Sequence, residues 1–502
     1  MKGTNRGCVV PTLSLRTAQT KAEGAAGDVK SWSLACARDD TRLYRRLTAV
    51  ALFALCASSA LAQEPSPRPR AVFRARAVDT LGSRAKTPAA LDTATTDFDV
   101  RGVRVILRRI TANDVVAANV YLLGGTQQVT AATAGIEPFL LAASEHGTRR
   151  YSKEAMRRAM ARTGATVQME PSADWTLFGL RTLRDALDSS WAAFADRLVA
   201  PRLDSADVEQ VREQFLAAVE SRHADPDELV SALADSVAFG AHPYAIDPSG
   251  TERSLSAITR AQLRDYHASQ VVKSRLLVVI VGNVERRHAE RLIAGTLATL
   301  PQGGYRWTPP PEPAPSGPRV ALVPRQLPTN YILGYHAGPP VASQDYSALR
   351  VASAVLAGSL FAEIRSRRNL TYAVDAPFLE RALATGGVYV TTVSPDTTLA
   401  LMRHELGMLQ TELLDDLALR RLVQRFITDY FLKNETNGDQ ATFLARSAIY
   451  NGDWRTASQF VESLRRVTPE DVRRVARTYM RNFRFAYVGD TSAVKRASLE
   501  AY

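Results

Sequence analysis

The stretch Ile258-Thr259-Arg260-Ala261-Gln262-Leu263-Arg264, followed by Leu276-Leu277-Val278-Val279-Ile280-Val281-Gly282-Asn283, is the most telling in the chain. Thr259 heads a helical pattern as an N-cap, and the uninterrupted apolar run after it reads as a buried strand. The same succession returns as Val467-Thr468-Pro469-Glu470-Asp471-Val472-Arg473 and Phe485-Ala486-Tyr487-Val488-Gly489-Asp490. Each copy is an N-capped helix and then a strand closing on Val-Gly-Asn or Val-Gly-Asp. The copies lie about two hundred residues apart. That offset is too long for a solenoid repeat and suits a duplicated domain.

Within each half the elements come in a similar order. A strand (103–108; 319–323) and a second strand (116–123; 331–336) precede a helix. A hairpin follows (165–169 with 175–180; 372–378 with 387–393), and then long amphipathic helices and the closing strand. In the first half the helices are expected at 186–198, 205–222 and 227–239, with Pro201 and Pro226 as separators. Strands mixed with antiparallel hairpins, and helices massed on one side, read as α+β. The expectation is two homologous domains, 97–300 and 319–502, each a mixed, mostly antiparallel sheet with helices packed on one face. Between them Pro301-Gln302-Gly303-Gly304 runs into Pro309, Pro310, Pro311, Pro313, Pro315 and Pro318, a stiff extended linker over 301–318.

The 502 residues are 46% hydrophobic and 23% charged, an ordinary globular balance with enough apolar material for large cores. Arg42, Arg45 and Arg46 precede an apolar run at 47–55, and Ala60-Leu61-Ala62 precedes Gln63. That order predicts a secretory signal peptide cut after Ala62, with 1–62 as leader and signal; the apolar run is too short for a stable membrane anchor. Residues 63–96 are rich in Pro, Arg and Ala and read as a mobile lead-in. Cys8, Cys36 and Cys56 all precede the cut, so the mature chain has no thiol for catalysis, disulfides or Cys-zinc sites. An exported protein without cysteine fits a bacterial periplasm. Of 63 Lys/Arg and 51 Asp/Glu, 9 and 4 lie before the cut, which reduces the net charge from +12 to +7. The basic residues are scattered along helices without aromatic interleaving, which argues against nucleic-acid binding.

In the first half, Gly135-Ile136-Glu137-Pro138-Phe139-Leu140-Leu141-Ala142, with Gly147-Thr148-Arg149-Arg150-Tyr151-Ser152, resembles the pitrilysin/insulinase-type (M16) metallopeptidases. Their equivalent run reads G-x-x-H-F-L-E-H…G-T-x-x-Y-S. The resemblance puts the first zinc His on Pro138, the general-base Glu on Leu141 and the second His on Ala142. The spacing i, i+3, i+4 serves that chemistry because it gathers two imidazoles and a carboxylate on one helix face. The family's third ligand, a Glu ahead of an N-P-D-E-L-like run, falls on Ala217 or Ala218, since Asp225-Pro226-Asp227-Glu228-Leu229-Val230 matches that run. None of these residues has a donor atom for a metal. A displaced site would draw on Glu145, His146, Glu220 or His223, but no two of the seven histidines are four residues apart.

The second half carries Leu360-Phe361-Ala362-Glu363-Ile364-Arg365-Ser366-Arg367-Arg368-Asn369-Leu370-Thr371-Tyr372-Ala373-Val374. It resembles the family's L-F-x-E-[LIV]-R-x-x-R/K-G-L-x-Y-x-V. Arg365 and Tyr372 then match a pair that holds the substrate backbone and the tetrahedral intermediate. A guanidinium fork and a phenol are donors suited to a carbonyl becoming an oxyanion. Two departures stand out: a glycine-rich turn shortened to Ala357-Gly358-Ser359, and Asn369 where Gly is usual.

The resemblance covers roughly 97–495 and implies an M16-like (LuxS/MPP-like) fold. It further implies the zinc-less, Arg/Tyr-bearing subunit of a heterodimeric processing-type peptidase. Such a chain binds no metal or other cofactor and is inactive alone. It pairs with a homologous subunit bearing H-x-x-E-H and zinc, and helps cleave unfolded peptides held as an added β-strand. The alternatives are a scaffold or peptide-binding protein with no catalytic share, and an autonomous hydrolase with a displaced site.

Overall fold

The computed structural model describes residues 94–314 and 319–502. The expected leader, signal peptide, nearly all of the lead-in, the three cysteines and linker residues 315–318 lie outside the described residues.

Among the described residues twelve strands form two sheets. In the first half these are β1 (Thr95–Val100), β2 (Val103–Arg109), β3 (Val115–Leu123), β4 (Thr166–Pro171), β5 (Trp175–Leu183) and β6 (Leu276–Gly282). In the second they are β7 (Val320–Pro324), β8 (Asn330–Pro340), β9 (Val374–Asp375), β10 (Phe378–Leu379), β11 (Leu383–Thr392) and β12 (Arg484–Gly489). The first sheet runs β1-β2-β6-β3-β5-β4 and the second β7-β12-β8-β11-β10, with β9 also on β11. Apart from β1 the two orders coincide. In each sheet the closing strand pairs parallel with the opening one, β6 with β2 and β12 with β7, and antiparallel with the next, β3 or β8. The chain is thus an α+β duplication.

The helices include α1 (Ile136–Ala143), α2 (Lys153–Thr163), α3 (Leu187–Val199), α4 (Ser205–Ala224), α5 (Pro226–Phe239) and α6 (Arg260–Gln270) in the first half. In the second they include α7 (Asp345–Leu360), α8 (Pro395–Thr411), α9 (Asp416–Lys433), α10 (Asn437–Tyr450) and α11 (Pro469–Tyr479). The helices before the closing strands start on capping boxes, Thr259 with Gln262 and Thr468 with Asp471. These reciprocal bonds satisfy amide groups that the first turn leaves open.

Strand alternation divides the buried residues between two faces. On β6, Leu276, Val278 and Ile280 join the core under the helices of their own half. Leu277, Val279 and Val281 face the other way and pack with Ala441, Leu444, Ala445 and Ala448 of α10, a helix from the second half. The exchange is reciprocal: α5, from the first half, lies against β8 and β12 of the second sheet. Each half therefore masses its own helices on one sheet face, and the remaining face is covered by the equivalent helix of the other half.

Polar contacts fix this exchange. Arg381 forms a fork on Asp235 of α5, at 2.8 and 3.0 Å, and Tyr389 on β11 donates to Asp227. At the seam Asp174 is 2% exposed. Its Oδ1 accepts from the Tyr244 hydroxyl at 2.8 Å; its Oδ2 accepts from the Tyr450 hydroxyl at 2.6 Å and from the Ala382 amide at 2.8 Å.

Two local expectations need correction. The strand expected over 372–378 is broken into β9 and β10 around Pro377, which has no amide hydrogen to give the ladder. Ala357-Gly358-Ser359 is no turn: it lies inside α7, whose buried Leu349, Leu356 and Leu360 continue into Ile364. One helical glycine costs about 1 kcal/mol, which that much apolar burial offsets.

Candidate functional site

The first half presents its motif as packed core. Gly135 takes a left-handed conformation (φ 82°) and α1 begins directly after it, with every residue of the helix buried. Pro138, Leu141 and Ala142 share one helical face, as the spacing requires, and that face is shut inside the first core. Ala217 and Ala218 lie exposed on α4, which docks on α1 through stacked Phe139 and Phe215, 5.5 Å between ring centres.

Both ends of α1 are pinned by buried charge. The Glu137 carboxylate accepts from Tyr266 at 2.9 Å and pairs with Arg275 at 3.0 Å. Burial would lower the Arg275 pKa, but Glu137 and Tyr266 outweigh it and hold the guanidinium above its usual value. Burial, and then Glu137, push the Tyr266 hydroxyl well up. At the other end Arg197 donates to the Leu141 carbonyl (3.0 Å) and to Ser144 Oγ (3.1 Å), closing the last turn. Burial lowers its pKa, and Glu145 at 3.4 Å opposes that shift.

The residues present do not fit a zinc ion. The motif positions offer carbon alone, and the would-be substitutes are either engaged elsewhere or exposed on α4. Glu145 pairs with Arg197, and His146 Nδ1 meets Asp207 at 3.2 Å and the Lys153 ammonium at 3.1 Å. Glu220 and His223 are exposed on α4. Among the described residues no three His, Cys, Asp or Glu side chains gather as a metal site. Asp225 caps α5, accepting from the amides of Asp227 (2.9 Å) and Glu228 (3.4 Å) with Pro226 in the first turn. The matched run is thus the head of the helix exchanged onto the second sheet.

The second half presents its motif differently. After α7 the chain widens into a π-helix over Phe361–Arg367, a rare winding that recurs at functional sites. A wider turn brings side chains four apart nearly into line, and Arg365 lies over Phe361 with 5.0 Å from guanidinium carbon to ring centre. The helix closes with Asn369 at φ 51°, its amide on the Arg365 carbonyl (3.1 Å) and the Leu370 amide on the Ile364 carbonyl (3.0 Å). Closure of this kind needs a left-handed residue, normally Gly, and Asn is the side chain that best tolerates it. Asn369 therefore keeps the geometry that Gly provides.

That closure turns the chain back so that the Tyr372 ring also lies against Arg365, again at 5.0 Å. The backbone under Tyr372 is held on both sides: Thr371 Oγ1 donates to the Ala373 carbonyl (2.7 Å) and to that of Thr391, and Thr392 Oγ1 donates to the Leu370 carbonyl (3.0 Å). The Tyr372 ring is nonetheless 60% exposed and Phe361 is 45% exposed. Structure thus brings Arg365 and Tyr372 together on the surface. Sequence reasoning missed Phe361, although its place four residues before Arg365 was the available signal. It also missed the Asp174 node, for which no local signal exists.

Both halves match models of known protein families. Residues 104–252 match the model for insulinase (peptidase family M16), and residues 257–426 match that for the peptidase M16 inactive domain. An uncharacterized zinc protease of Mycobacterium tuberculosis is 25% identical over 394 residues, covering 75% of this chain and 88% of its own. A mitochondrial-processing peptidase subunit beta of Lentinula edodes is 21% identical over 399 residues, covering 75% and 85%. Among solved structures, a peptidase M16 inactive domain from Pseudomonas fluorescens superposes with a TM-score of 0.72 at 21% identity, over 80% of this chain and 99% of that one. The periplasmic protease PqqL from Escherichia coli does so with 0.67 at 16% identity, over 88% and 50%.

Proposed function

We propose that this chain, which belongs to the M16 peptidase family, is the zinc-less subunit of a two-subunit peptidase and contributes Arg365 and Tyr372 to peptide binding and transition-state stabilisation. One contrast carries the reading: Pro138, Leu141 and Ala142 are sealed in apolar core, whereas Arg365 and Tyr372 lie against each other at the surface. The metal would belong to a homologous H-x-x-E-H subunit. Arg365 donates its planar N–H fork to a backbone carbonyl oxygen, and the Tyr372 hydroxyl donates beside it. Both gain strength as that oxygen becomes anionic. The peptide would lie extended, as a strand added to a sheet edge such as β4, whose outer side has no neighbour in the first sheet.

Pairing is supported by relatives named as subunits of the mitochondrial processing peptidase. A periplasmic setting is supported by the signal-peptide pattern before Gln63, the cysteine-free mature sequence and the periplasmic structural neighbour. One observation favours the scaffold reading instead: Arg365 is already stacked on two rings, which gives it a structural reason to be there. Assay of a quenched peptide by the chain alone, by an H-x-x-E-H homologue alone and by the two together separates the readings. Activity in the mixture above that of the homologue alone supports a catalytic share, and no increase supports the scaffold.

A further inference from the structure

Three arginines end the π-helix, and only two have an ion-pair partner, which they share. Arg367 and Arg368 both pair with Glu363. Arg365 has no carboxylate at ion-pair distance among the described residues and lies against the rings of Phe361 and Tyr372, its guanidinium carbon 5.0 Å from each ring centre. The segment therefore sets three guanidinium charges against one carboxylate, a local excess of +2.

Ring contacts of this kind use no N–H bond of a guanidinium, and among the described residues no acceptor stands on those of Arg365, so its planar fork is available to a ligand. A neutral carbonyl fits part of this site, but a planar carboxylate fits all of it. It takes two parallel N–H bonds, each roughly twice as strong as a neutral one, and it compensates the excess charge.

We propose that the Arg365–Tyr372 site binds a carboxylate carried by a peptide, either a free C-terminus or an Asp or Glu side chain. This rests on reading Arg365 as the peptide-facing group, and goes beyond it by naming the charge the group selects. The test is a titration of the mature chain alone with one short unstructured peptide, otherwise uncharged and carrying a neutral dye, in three forms. These are the free acid, the C-terminal amide, and the amide with a single Glu. Binding is read by fluorescence anisotropy, with circular dichroism confirming the fold of every variant.

The expected result is that a carboxylate-bearing form binds at least about tenfold more tightly than the plain amide. Arg365→Gln should erase that preference, and Arg365→Lys, which keeps charge without the fork, should retain part of it. Preference for the acid alone assigns the free C-terminus; preference for both forms assigns any carboxylate. Equal binding of acid and amide, no measurable binding of the acid, or a preference that survives Arg365→Gln overturns the proposal. Neither partner nor metal enters this titration, so failure of the catalytic reading and failure of this one remain distinguishable.

Discussion

Asp174 and Tyr450, 276 residues apart in sequence, meet at 2.6 Å in the buried seam between the halves. With Tyr244 and the Ala382 amide, they make a carboxylate cage of neutral donors drawn from both halves. Burial, and then the Asp174 charge, raise the pKa values of both tyrosines far above the ordinary range, so both hydroxyls stay protonated and donate.

Asp174→Ala would strand three buried donors, each costing about 1–3 kcal/mol. The expected loss is at least about 3 kcal/mol by urea denaturation. Tyr450→Phe removes one bond to a charged acceptor and should cost about 1.5–3 kcal/mol. A loss below 1 kcal/mol for Asp174→Ala would show that the seam does not depend on the node.

His336 gives the fold a specific acid sensitivity. Its ring is buried beside Phe483, with Nδ1 on the Ala337 carbonyl at 3.1 Å, and burial lowers its pKa to about 4. A histidine depressed from about 6.5 to about 4 favours the neutral form in the fold. That stability is fully present above about pH 6.5 and is lost as pH falls towards 4, by roughly 3 kcal/mol in total. Gly386 makes the burial possible, since a Cβ there would stand 2.2 Å from His336 Nε2. Stability measured at pH 7 and pH 4.5 should fall less in His336→Gln than in the parent. Equal falls would remove His336 as the cause.

The sequence was most readable where the physics is local. Capping at Thr259 and Thr468, the apolar runs that follow and the repeated Val-Gly-Asn/Asp ending announced a duplicated α+β fold. The apolar replacements at Pro138, Leu141 and Ala142 stood in plain view, and the structure adds that they are core. What was not readable depends on distant partners. Nothing near Asp174 foretells Tyr450, and nothing near α5 or α10 says that each packs on the other half's sheet. The π-winding at Phe361–Arg367 also escaped notice, because its sequence still suits an ordinary helix until Asn369 forces the closure.

Metal content follows from the same motif positions. The purified chain should carry no stoichiometric zinc, because a hydrolytic zinc needs three protein ligands and Pro138, Leu141, Ala142, Ala217 and Ala218 supply none. Elemental analysis without added chelator is the measurement. One zinc per chain, with peptidase activity lost on chelation, would contradict this account.

The most direct test of the catalytic assignment is turnover of a quenched peptide by the reconstituted pair, with Arg365→Ala and Tyr372→Phe compared against the parent and gel filtration confirming association. Loss of one preorganised donor to an oxyanion costs about 10²–10³-fold in rate. Each variant should therefore lower kcat by about that factor with assembly intact. An exposed arginine without a catalytic role is worth under about half a kcal/mol. Parental kcat in both variants would contradict the assignment.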